Sequence, residues 1–295
     1  MRRNRRRSRR SRRLIFTPPP TTVGGFYKNE RFAPLLLNGI QTAKWTIMDE
    51  KLYTLNRIIT SSFADREMRL SVPAIFDAFQ DVAAIHVNYM SLSAQELYDK
   101  FNLLWVLSKE KAKIYRLPKQ NETITIKTWP LKPSAVRFVR EYSILSESGE
   151  TLICGTSDWC LIDATTRQLK VSSSIPYPTE LSDERAGAGA FAKPDLGGEF
   201  EPRLTYKVTL SDVDFNDHTN NVCYIRQIVN AFTPDEFYAM DIDEIETHFY
   251  KETRYGDEIA VLRKKTDTGY VIKCESNGAI VFAAVVKVNM QSLVS

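Results

Sequence analysis

The sequence lacks the hallmarks of several large protein classes. Its four cysteines show no CxxC spacing, it has only three histidines, and it contains no P-loop, GxGxxG or GxSxG motif. The longest uninterrupted apolar run, residues 279–286, has the length of a strand, whereas a membrane-spanning helix needs about 20 apolar residues. These absences argue against a disulfide framework, a zinc site, a nucleotide-binding loop and a membrane span. Because a chain of this length does not need disulfides to form a core, a reducing cytoplasm is favoured.

Positive charge is concentrated at one end of the chain. Nine arginines lie within residues 2–13, and residues 1–47 carry twelve basic side chains and one acidic side chain. Because the 295 residues together have a formal net charge of +4, the remainder sums to −7. We interpret residues 1–47 as a basic, disordered leader or as residues upstream of a true start near Met48, and we rank a twin-arginine or organelle-targeting segment below these. An acidic body argues against a nucleic-acid-binding fold, which needs a basic face.

The first part of the body predicts one long helix and several strands. Residues 51–60 predict a strand, and a helix follows that begins with a capping Ser71 and extends to about Tyr89 with apolar residues at helical spacing. A short second helix and four β-rich runs, separated by turn residues, then occupy the chain up to Asp163. One helix followed by an antiparallel meander is typical of an α+β fold.

The same order of predicted elements occurs twice. Residues 176–200 are rich in proline, glycine and alanine and predict a linker. Beyond them a strand, two helices and four strands repeat the earlier order, and residues 65–71 align with residues 214–220 where each copy enters its helix. We therefore predict an N-terminal domain over residues 48–175 and a similar C-terminal domain over residues 201–295.

A loop with an unusual density of polar residues precedes the helix of the second copy. Asp214, Asn216 and His218 place a carboxylate, a carboxamide and an imidazole at alternate positions, which share one side of an extended chain. Capping and turn formation explain any one of them, but the three together favour a functional site. His86 is predicted to pack in the core or to line a ligand tunnel, and His248 to be an ordinary strand residue. No pair of metal ligands at a usual spacing lies outside the loop, so we expect no metal and no cofactor.

The segment SDVDFNDHTNNVCY, residues 211–224, resembles the DxDxNxHxNNxxY signature of acyl-acyl carrier protein thioesterases, the enzymes that end fatty acid synthesis by hydrolysing the thioester. Further matches in the same order span residues 52–288 and include Trp105, Lys127-Thr128-Trp129-Pro130, Arg137 to Arg140, Ser157-Asp158-Trp159 and Thr166-Arg167. The resemblance implies an α+β fold of two tandem hotdog domains, each a long helix wrapped by an antiparallel sheet.

The resemblance also implies a catalytic set of Asp214, Asn216, His218 and Glu252. The sequence departs from the family pattern at Phe249, where the family has tyrosine, and at Thr253, where plant members have cysteine. A thiol at position 253 is therefore not essential if the protein is active, which favours direct attack by water activated by Glu252 or Asp214.

The first domain lacks this set at the aligned positions. These hold Glu67 and Arg69 and, since residues 115–124 align with residues 250–259 without a gap, Leu117 in place of Glu252. We expect this domain to be catalytically silent and to bind the acyl chain, with simple core packing as the alternative. The residues predicted to wall an acyl tunnel lie on its long helix and on the following strand: Ile75, Phe76, Phe79, His86 and Trp105.

The partner implied by the resemblance is an acyl carrier protein bearing a phosphopantetheine-linked acyl chain. That carrier is acidic, so docking needs a local basic patch; the candidates, which a solvated sheet face explains equally well, are Lys127, Lys132, Arg137 and Arg140. Three alternatives stay open: an acyl-coenzyme A thioesterase, a non-catalytic acyl-binding or dehydratase-like hotdog protein, and a functional arginine tail that binds nucleic acid or an anionic membrane. A homodimer also stays open.

Overall fold

Two copies of one helix-and-sheet arrangement follow each other along the chain. The computed structural model describes residues 49–289, so the predicted leader over residues 1–47 lies outside the described residues. The first copy comprises β1 (Tyr53–Ile58), α1 (Val72–Tyr89), α2 (Ala94–Phe101), β2 (Leu103–Ile114), β3 (Thr123–Pro130), β4 (Phe138–Ser146), β5 (Thr151–Asp163) and the short β6 (Leu169–Lys170). The second copy comprises β7 (Glu201–Lys207), α3 (Asn221–Asn230), α4 (Pro234–Tyr238), β8 (Ile242–Phe249), β9 (Glu258–Thr266), β10 (Gly269–Ser276) and β11 (Ala279–Val288).

The strand order is the same in both copies. The first copy runs β1-β3-β4-β5-β2 and the second β7-β9-β10-β11-β8, with β6 paired to β5. The two half-sheets join where β2 pairs antiparallel with β8, from Lys109 opposite His248 to Lys113 opposite Glu244. Each half-sheet carries one long helix, so the predicted tandem hotdog architecture is confirmed. Within residues 49–289, no helix is long and apolar enough to span a membrane.

Each long helix begins after a capping residue, and for the first of them the sequence predicts this residue, Ser71. Ser71 Oγ accepts a hydrogen bond from Ala74 N at 3.4 Å at the start of α1, and Asn220 Oδ1 accepts one from Val222 N at 3.0 Å at the start of α3. The two helices pack against each other. The buried face of α1 contributes Phe79, whose ring stacks on Tyr142 of β4 at a centroid distance of 4.4 Å. Buried apolar residues of both copies belong to one continuous hydrophobic core.

Gly155 of β5 makes the stacking of Phe79 on Tyr142 possible. A Cβ atom at position 155 would overlap the Phe79 ring, so the absence of a side chain lets α1 approach the sheet closely. Phe79 is fully buried as a result.

The predicted linker is irregular and largely exposed. Residues 176–200 form one isolated bridge, between Ser182 and Leu131, and otherwise neither helix nor strand. The segment nevertheless contacts both copies, because Ala186 N donates to Glu141 Oε2 at 2.7 Å and Ala192 N donates to Glu246 Oε1 at 2.8 Å. Since the sheet and core run from one copy into the other, the division into domains at residues 175 and 201 stays a prediction.

Candidate active site

The loop that carries Asp214, Asn216 and His218 is a tight turn. Asp214 N donates to His218 O at 2.8 Å, Asp217 N donates to Asp214 O at 3.1 Å, and Asp217 has a positive φ of 60°. The Asp214 carboxylate stabilises this turn by accepting from the backbone amides of Asn216 at 2.8 Å and His218 at 3.4 Å. The sequence analysis assumed an extended backbone over residues 214–218. This assumption is wrong, because the hydrogen bonds to the Asp214 carboxylate hold the backbone in a turn.

The first copy contains the same turn. Asp65 Oδ1 accepts from the amides of Glu67 at 2.8 Å and Arg69 at 3.0 Å, and Met68 has a φ of 55°. Glu67 and Arg69 thus occupy the backbone positions of Asn216 and His218. The predicted alignment of the two loops holds at the level of single hydrogen bonds, and only the side chains differ.

A second loop lies beside the first in each copy. Thr219 N donates to Thr253 O at 2.8 Å, and in the first copy Leu70 N donates to Pro118 O at the same distance. This backbone contact brings Glu252, which precedes Thr253, beside the turn that ends at His218. The equivalent position in the first copy is Leu117, which has no ionisable group.

His218 and Glu252 are in contact. His218 Nε2 lies 3.1 Å from Glu252 Oε2, with the imidazole side chain 13% exposed and the carboxylate side chain 38% exposed. The other carboxylate oxygen of Glu252 is paired with Arg167 from the first copy. Arg254 Nη2 approaches the same His218 nitrogen at 3.2 Å. That nitrogen can donate to Glu252 or accept from Arg254, so the imidazole has a partner in either protonation state.

Thr253 anchors the loop that carries Glu252. It is 2% exposed, and its Oγ1 lies 2.7 Å from Thr219 Oγ1 and 2.6 Å from Tyr224 OH. The hydroxyl therefore ties the two loops to α3. The Thr253 hydroxyl, with its two buried partners, therefore has a structural role. This role does not require the cysteine thiol that plant members of the family have at this position.

Cys223 is the sulfur atom nearest in sequence to the candidate loop. Its Sγ lies 3.5 Å from Asp212 Oδ1 inside the protein. Burial, together with the Asp212 charge, raises the pKa of the Cys223 thiol to about 12. The thiol is therefore protonated at neutral pH and unsuited to act as a nucleophile.

A cavity of about 450 Å³ connects the candidate loop with the first copy. Asp214 and Asn216 border it on one side. Trp105 lies in its wall and is held by a hydrogen bond of 3.0 Å from its Nε1 to Leu92 O. The other walls come from α1, β2, β4, β5, the start of α3, the candidate loop and the linker segment, and include Ala83, Ala84, Val87, Leu104, Phe138, Val139, Arg140, Trp159, Tyr177, Phe215, Asn220 and Asn221. A wider surface depression of about 600 Å³ around Arg116 and Glu150 shares no residue with this cavity.

The other predicted tunnel residues lie deeper. Ile75, Phe76 and Phe79 are buried in the hydrophobic core and are not part of the cavity wall. His86 is also fully buried and outside the wall; its Nε2 lies 2.7 Å from Asp49 O and its Nδ1 3.0 Å from Arg140 Nη1. Burial, followed by the Arg140 charge, lowers the pKa of His86 to about 4. Among the five predicted residues, Trp105 borders the cavity.

The sequence analysis missed the two arginines beside His218 and Glu252. Thr166-Arg167 is one of the family-like matches, but nothing in the sequence pairs it with a residue 85 positions away, and Arg254 belongs to no motif.

The candidate basic patch also needs a correction. Arg140 is 4% exposed, so it cannot belong to a surface patch, because its side chain points toward α1 and contacts His86.

Comparison with known proteins identifies two adjacent family matches. The model of the acyl-ACP thioesterase N-terminal domain matches residues 50–175, and that of the acyl-ACP thioesterase C-terminal domain matches residues 199–289. The chain is 23% identical over 262 residues to a chloroplastic palmitoyl-acyl carrier protein thioesterase of Cuphea hookeriana, covering 80% of this chain and 62% of the relative. It is 24% identical over 208 residues to a chloroplastic oleoyl-acyl carrier protein thioesterase of Coriandrum sativum, covering 64% and 56%. The chain thus spans about three fifths of the length of these relatives.

Solved structures share the fold. An acyl-ACP thioesterase from Bacteroides thetaiotaomicron superposes with a TM-score of 0.74 at 21% identity, covering 82% of this chain and all of the other. A 12:0-ACP thioesterase from Umbellularia californica superposes with a TM-score of 0.68 at 16% identity, covering 81% of this chain and 97% of the other. Their similarity confirms the tandem hotdog architecture, and the family matches confirm the resemblance noted in the sequence.

Proposed function

Because the chain belongs to the acyl-ACP thioesterase family, we propose that it hydrolyses fatty acyl thioesters of acyl carrier protein to free fatty acid and carrier protein. One observation carries the proposal. Asp214 and Asn216 border a cavity large enough for an acyl chain, and the turn that holds them also places His218 against Glu252.

In the proposed reaction, water attacks the thioester carbon without a covalent intermediate. A carboxylate, Asp214 or Glu252, takes a proton from the bound water as its oxygen bonds to the carbon. The Asn216 carboxamide, which forms no hydrogen bond within residues 49–289, and His218 orient the water or donate to the thioester oxygen as charge develops there. The carbon–sulfur bond then breaks, and the proton ends on the departing thiol.

The proposal gives the two copies different tasks. The first copy keeps the turn and the neighbouring loop but has Glu67, Arg69 and Leu117 where the second has Asn216, His218 and Glu252. We therefore propose that the first copy is catalytically silent and supplies most of the acyl-binding wall, with Trp105 as one predicted binding residue that borders the cavity.

The carrier and the location are part of the same proposal. Acyl carrier protein is the partner in the names of both plant relatives, and we propose it for this chain, with a homodimer as an additional prediction. All four cysteines are free thiols, which fits a reducing compartment such as the cytoplasm.

The decisive assay compares acyl-ACP with acyl-coenzyme A of the same chain length. We expect faster release of free thiol from acyl-ACP. Glu252→Gln and Asp214→Asn, made separately, identify the base, because loss of a positioned base lowers kcat by about 10²–10⁴. Glu67→Gln, at the position of the first copy that matches Asn216, is the control and should retain full activity. Full turnover by both carboxamide variants would contradict the mechanism, and preference for acyl-coenzyme A would change the carrier.

A further inference from the structure

Two exposed aromatic side chains lie beside one end of the cavity. Phe215 of the candidate loop borders the cavity and is 73% exposed. Ala94, at the start of α2, also borders the cavity, and Tyr98 lies one turn further along the same helix face and is 53% exposed. Within residues 49–289, neither ring contacts another aromatic ring or a cation. We call this end of the cavity, bordered by Phe215 and Ala94, its entrance.

The duplication gives each of these two aromatic residues a counterpart in the other copy. The turn aspartate is followed by Arg66 in the first copy and by Phe215 in the second, so these two residues correspond. A capping box starts each of the short helices α2 and α4, and Tyr98 and Tyr238 occupy the same position after it. The two tyrosines therefore correspond as well.

The two counterparts are in contact with each other. The guanidinium of Arg66 lies over the ring of Tyr238, 4.3 Å from its centroid, in a cation–π contact between the turn of the first copy and α4 of the second. The residue after the turn aspartate thus faces the short helix of the other copy. By the same symmetry Phe215 faces Tyr98, but across a gap. A lone exposed apolar residue needs no explanation, whereas a facing aromatic pair beside a cavity indicates a binding surface.

The position of the cavity indicates which part of the substrate crosses this gap. The cavity wall is largely apolar and aromatic, which suits the acyl chain, and a carrier protein is far too large for a space of about 450 Å³. The thioester has to reach Asp214 and Asn216 at the cavity border, so the flexible arm that joins it to the carrier passes the entrance. That arm is pantetheine, whose flat amide groups and methyl groups pack well against aromatic rings.

We propose that Phe215 and Tyr98 hold the pantetheine arm of the substrate between them at the entrance of the cavity. The inference rests on the proposed function and adds a binding site for a part of the substrate that does not react. Binding energy gained there helps to bring the thioester to the candidate catalytic residues. The first copy offers no such site, because Arg66 and Tyr238 contact each other at the equivalent place. Acyl carrier protein and coenzyme A carry the same arm, so the site serves either carrier.

Two substrates with the same acyl group test the proposal. One is the acyl-pantetheine thioester, and the other is the acyl thioester of N-acetylcysteamine, which lacks most of the arm. Phe215→Ala and Tyr98→Ala should each lower kcat/KM for acyl-pantetheine by about tenfold, because each removes a ring that the arm would cover, and leave kcat/KM for the N-acetylcysteamine thioester within about twofold of wild type. Leu210→Ala is the control, because Leu210 is 79% exposed and outside the cavity wall, and it should change neither value.

The ratio of the two kcat/KM values separates contact with the arm from damage to the catalytic turn. An unchanged ratio in either alanine variant would overturn the inference. An equal loss on both substrates would overturn it too, because the ring would then act on the acyl chain or on the turn itself. No hydrolysis of any thioester by the wild-type protein would instead refute the proposed function.

Binding of an S-alkyl pantetheine thioether, which cannot be hydrolysed, tests the inference apart from catalysis. Calorimetry with the full chain measures Kd. We expect Kd to rise by about tenfold in Phe215→Ala and in Tyr98→Ala and to keep its wild-type value in Leu210→Ala. Equal Kd values in wild type and both aromatic variants, or no measurable binding to wild type, would contradict the inference even in an active enzyme.

Discussion

Arg167 of the first copy and Glu252 of the second form an ion pair across the duplicated fold. Arg167 lies in the turn after β5 and holds one carboxylate oxygen of Glu252, while His218 Nε2 lies 3.1 Å from the other. The carboxylate is therefore fixed from two sides, once from each copy. This arrangement makes Arg167 a positioning residue for Glu252 rather than a group that contacts substrate.

The first prediction concerns this positioning. Arg167→Gln should lower kcat by about tenfold, because a carboxylate that loses one of its two anchors spends less time in the productive orientation. KM should change little, since Arg167 is not part of the cavity wall. Steady-state kinetics with an acyl-ACP substrate measure both constants.

Three further variants separate positioning from a general loss of charge. Arg167→Lys should recover part of the lost kcat, and Arg66→Gln, on the exposed surface of the first copy, should behave as wild type. In a Glu252→Gln background, Arg167→Gln should have no additional effect. An additive loss in the double variant would show that Arg167 acts by another route.

The second prediction concerns Thr253, which stands where plant members of the family have cysteine. Thr253→Val should lower the free energy of unfolding by about 1–3 kcal/mol, because Thr219 Oγ1 and Tyr224 OH would lose a buried partner. Urea denaturation measures this loss. Thr253→Ala should hydrolyse acyl-ACP at a temperature where it remains folded. A folded but inactive alanine variant would show that this side chain takes part in the chemistry.

The duplication could be predicted from sequence because residues close together in the chain determine the repeated turn and helix start. Asp65 and Asp214 each begin a turn and each precede a helix with a capping residue, so the aligned segments adopt the same hydrogen bonds. The helix stripes and the β-rich runs are equally local. The spacing of the apolar residues in each element indicates which face of that element is buried. Burial of that face determines both the secondary structure and the packing of the core.

The contacts between the copies could not be predicted in the same way. The Arg167–Glu252 pair joins residues far apart in sequence and depends on the pairing of β2 with β8, for which no short pattern exists. The cavity wall is another case. The apolar stripe of α1 identifies a buried face, but Phe79 on that face enters the core because Gly155 lets it approach the sheet, while Ala83 borders the cavity.

The third prediction is a pH dependence of stability that arises from His86. In the unfolded chain this imidazole takes up a proton near pH 6.5, but in the folded chain its pKa is lowered to about 4. Between these values the unfolded state binds more protons, so the free energy of unfolding falls as the pH falls from 6.5 to 4 and is fully regained above 6.5. The contribution is on the order of 3 kcal/mol across this window.

Urea denaturation at several pH values, in wild type and in His86→Gln, measures the contribution. Glutamine can donate to Asp49 O and accept from Arg140 as the neutral imidazole does, but it does not titrate. The variant should therefore lose less stability than wild type between pH 6.5 and 4. The same pH dependence in both proteins would show that His86 is not the responsible group.

The fourth prediction concerns the length of acyl chain that the cavity accepts. Val87 of α1 lies in the cavity wall, so Val87→Phe should fill part of the space and shift the preference toward shorter chains. Excluding two methylenes of a long chain forfeits about 1.6 kcal/mol of burial, at about 0.8 kcal/mol each, and lowers kcat/KM for that chain by about tenfold. Turnover of a series of acyl-ACPs of increasing length measures the shift.

Two variants on the same helix test whether the cavity is where the chain binds. Ile85→Phe changes a side chain that is 40% exposed and outside the cavity wall, so the preferred length should not change. Phe79→Leu leaves a void in the core beneath Tyr142 and should reduce stability. If Phe79 were a wall of the acyl tunnel, as the sequence analysis predicts, the same variant would change the preferred length. A shift of length preference in Phe79→Leu without one in Val87→Phe would place the acyl chain in the core beside Phe79, and would require that core to open when substrate binds.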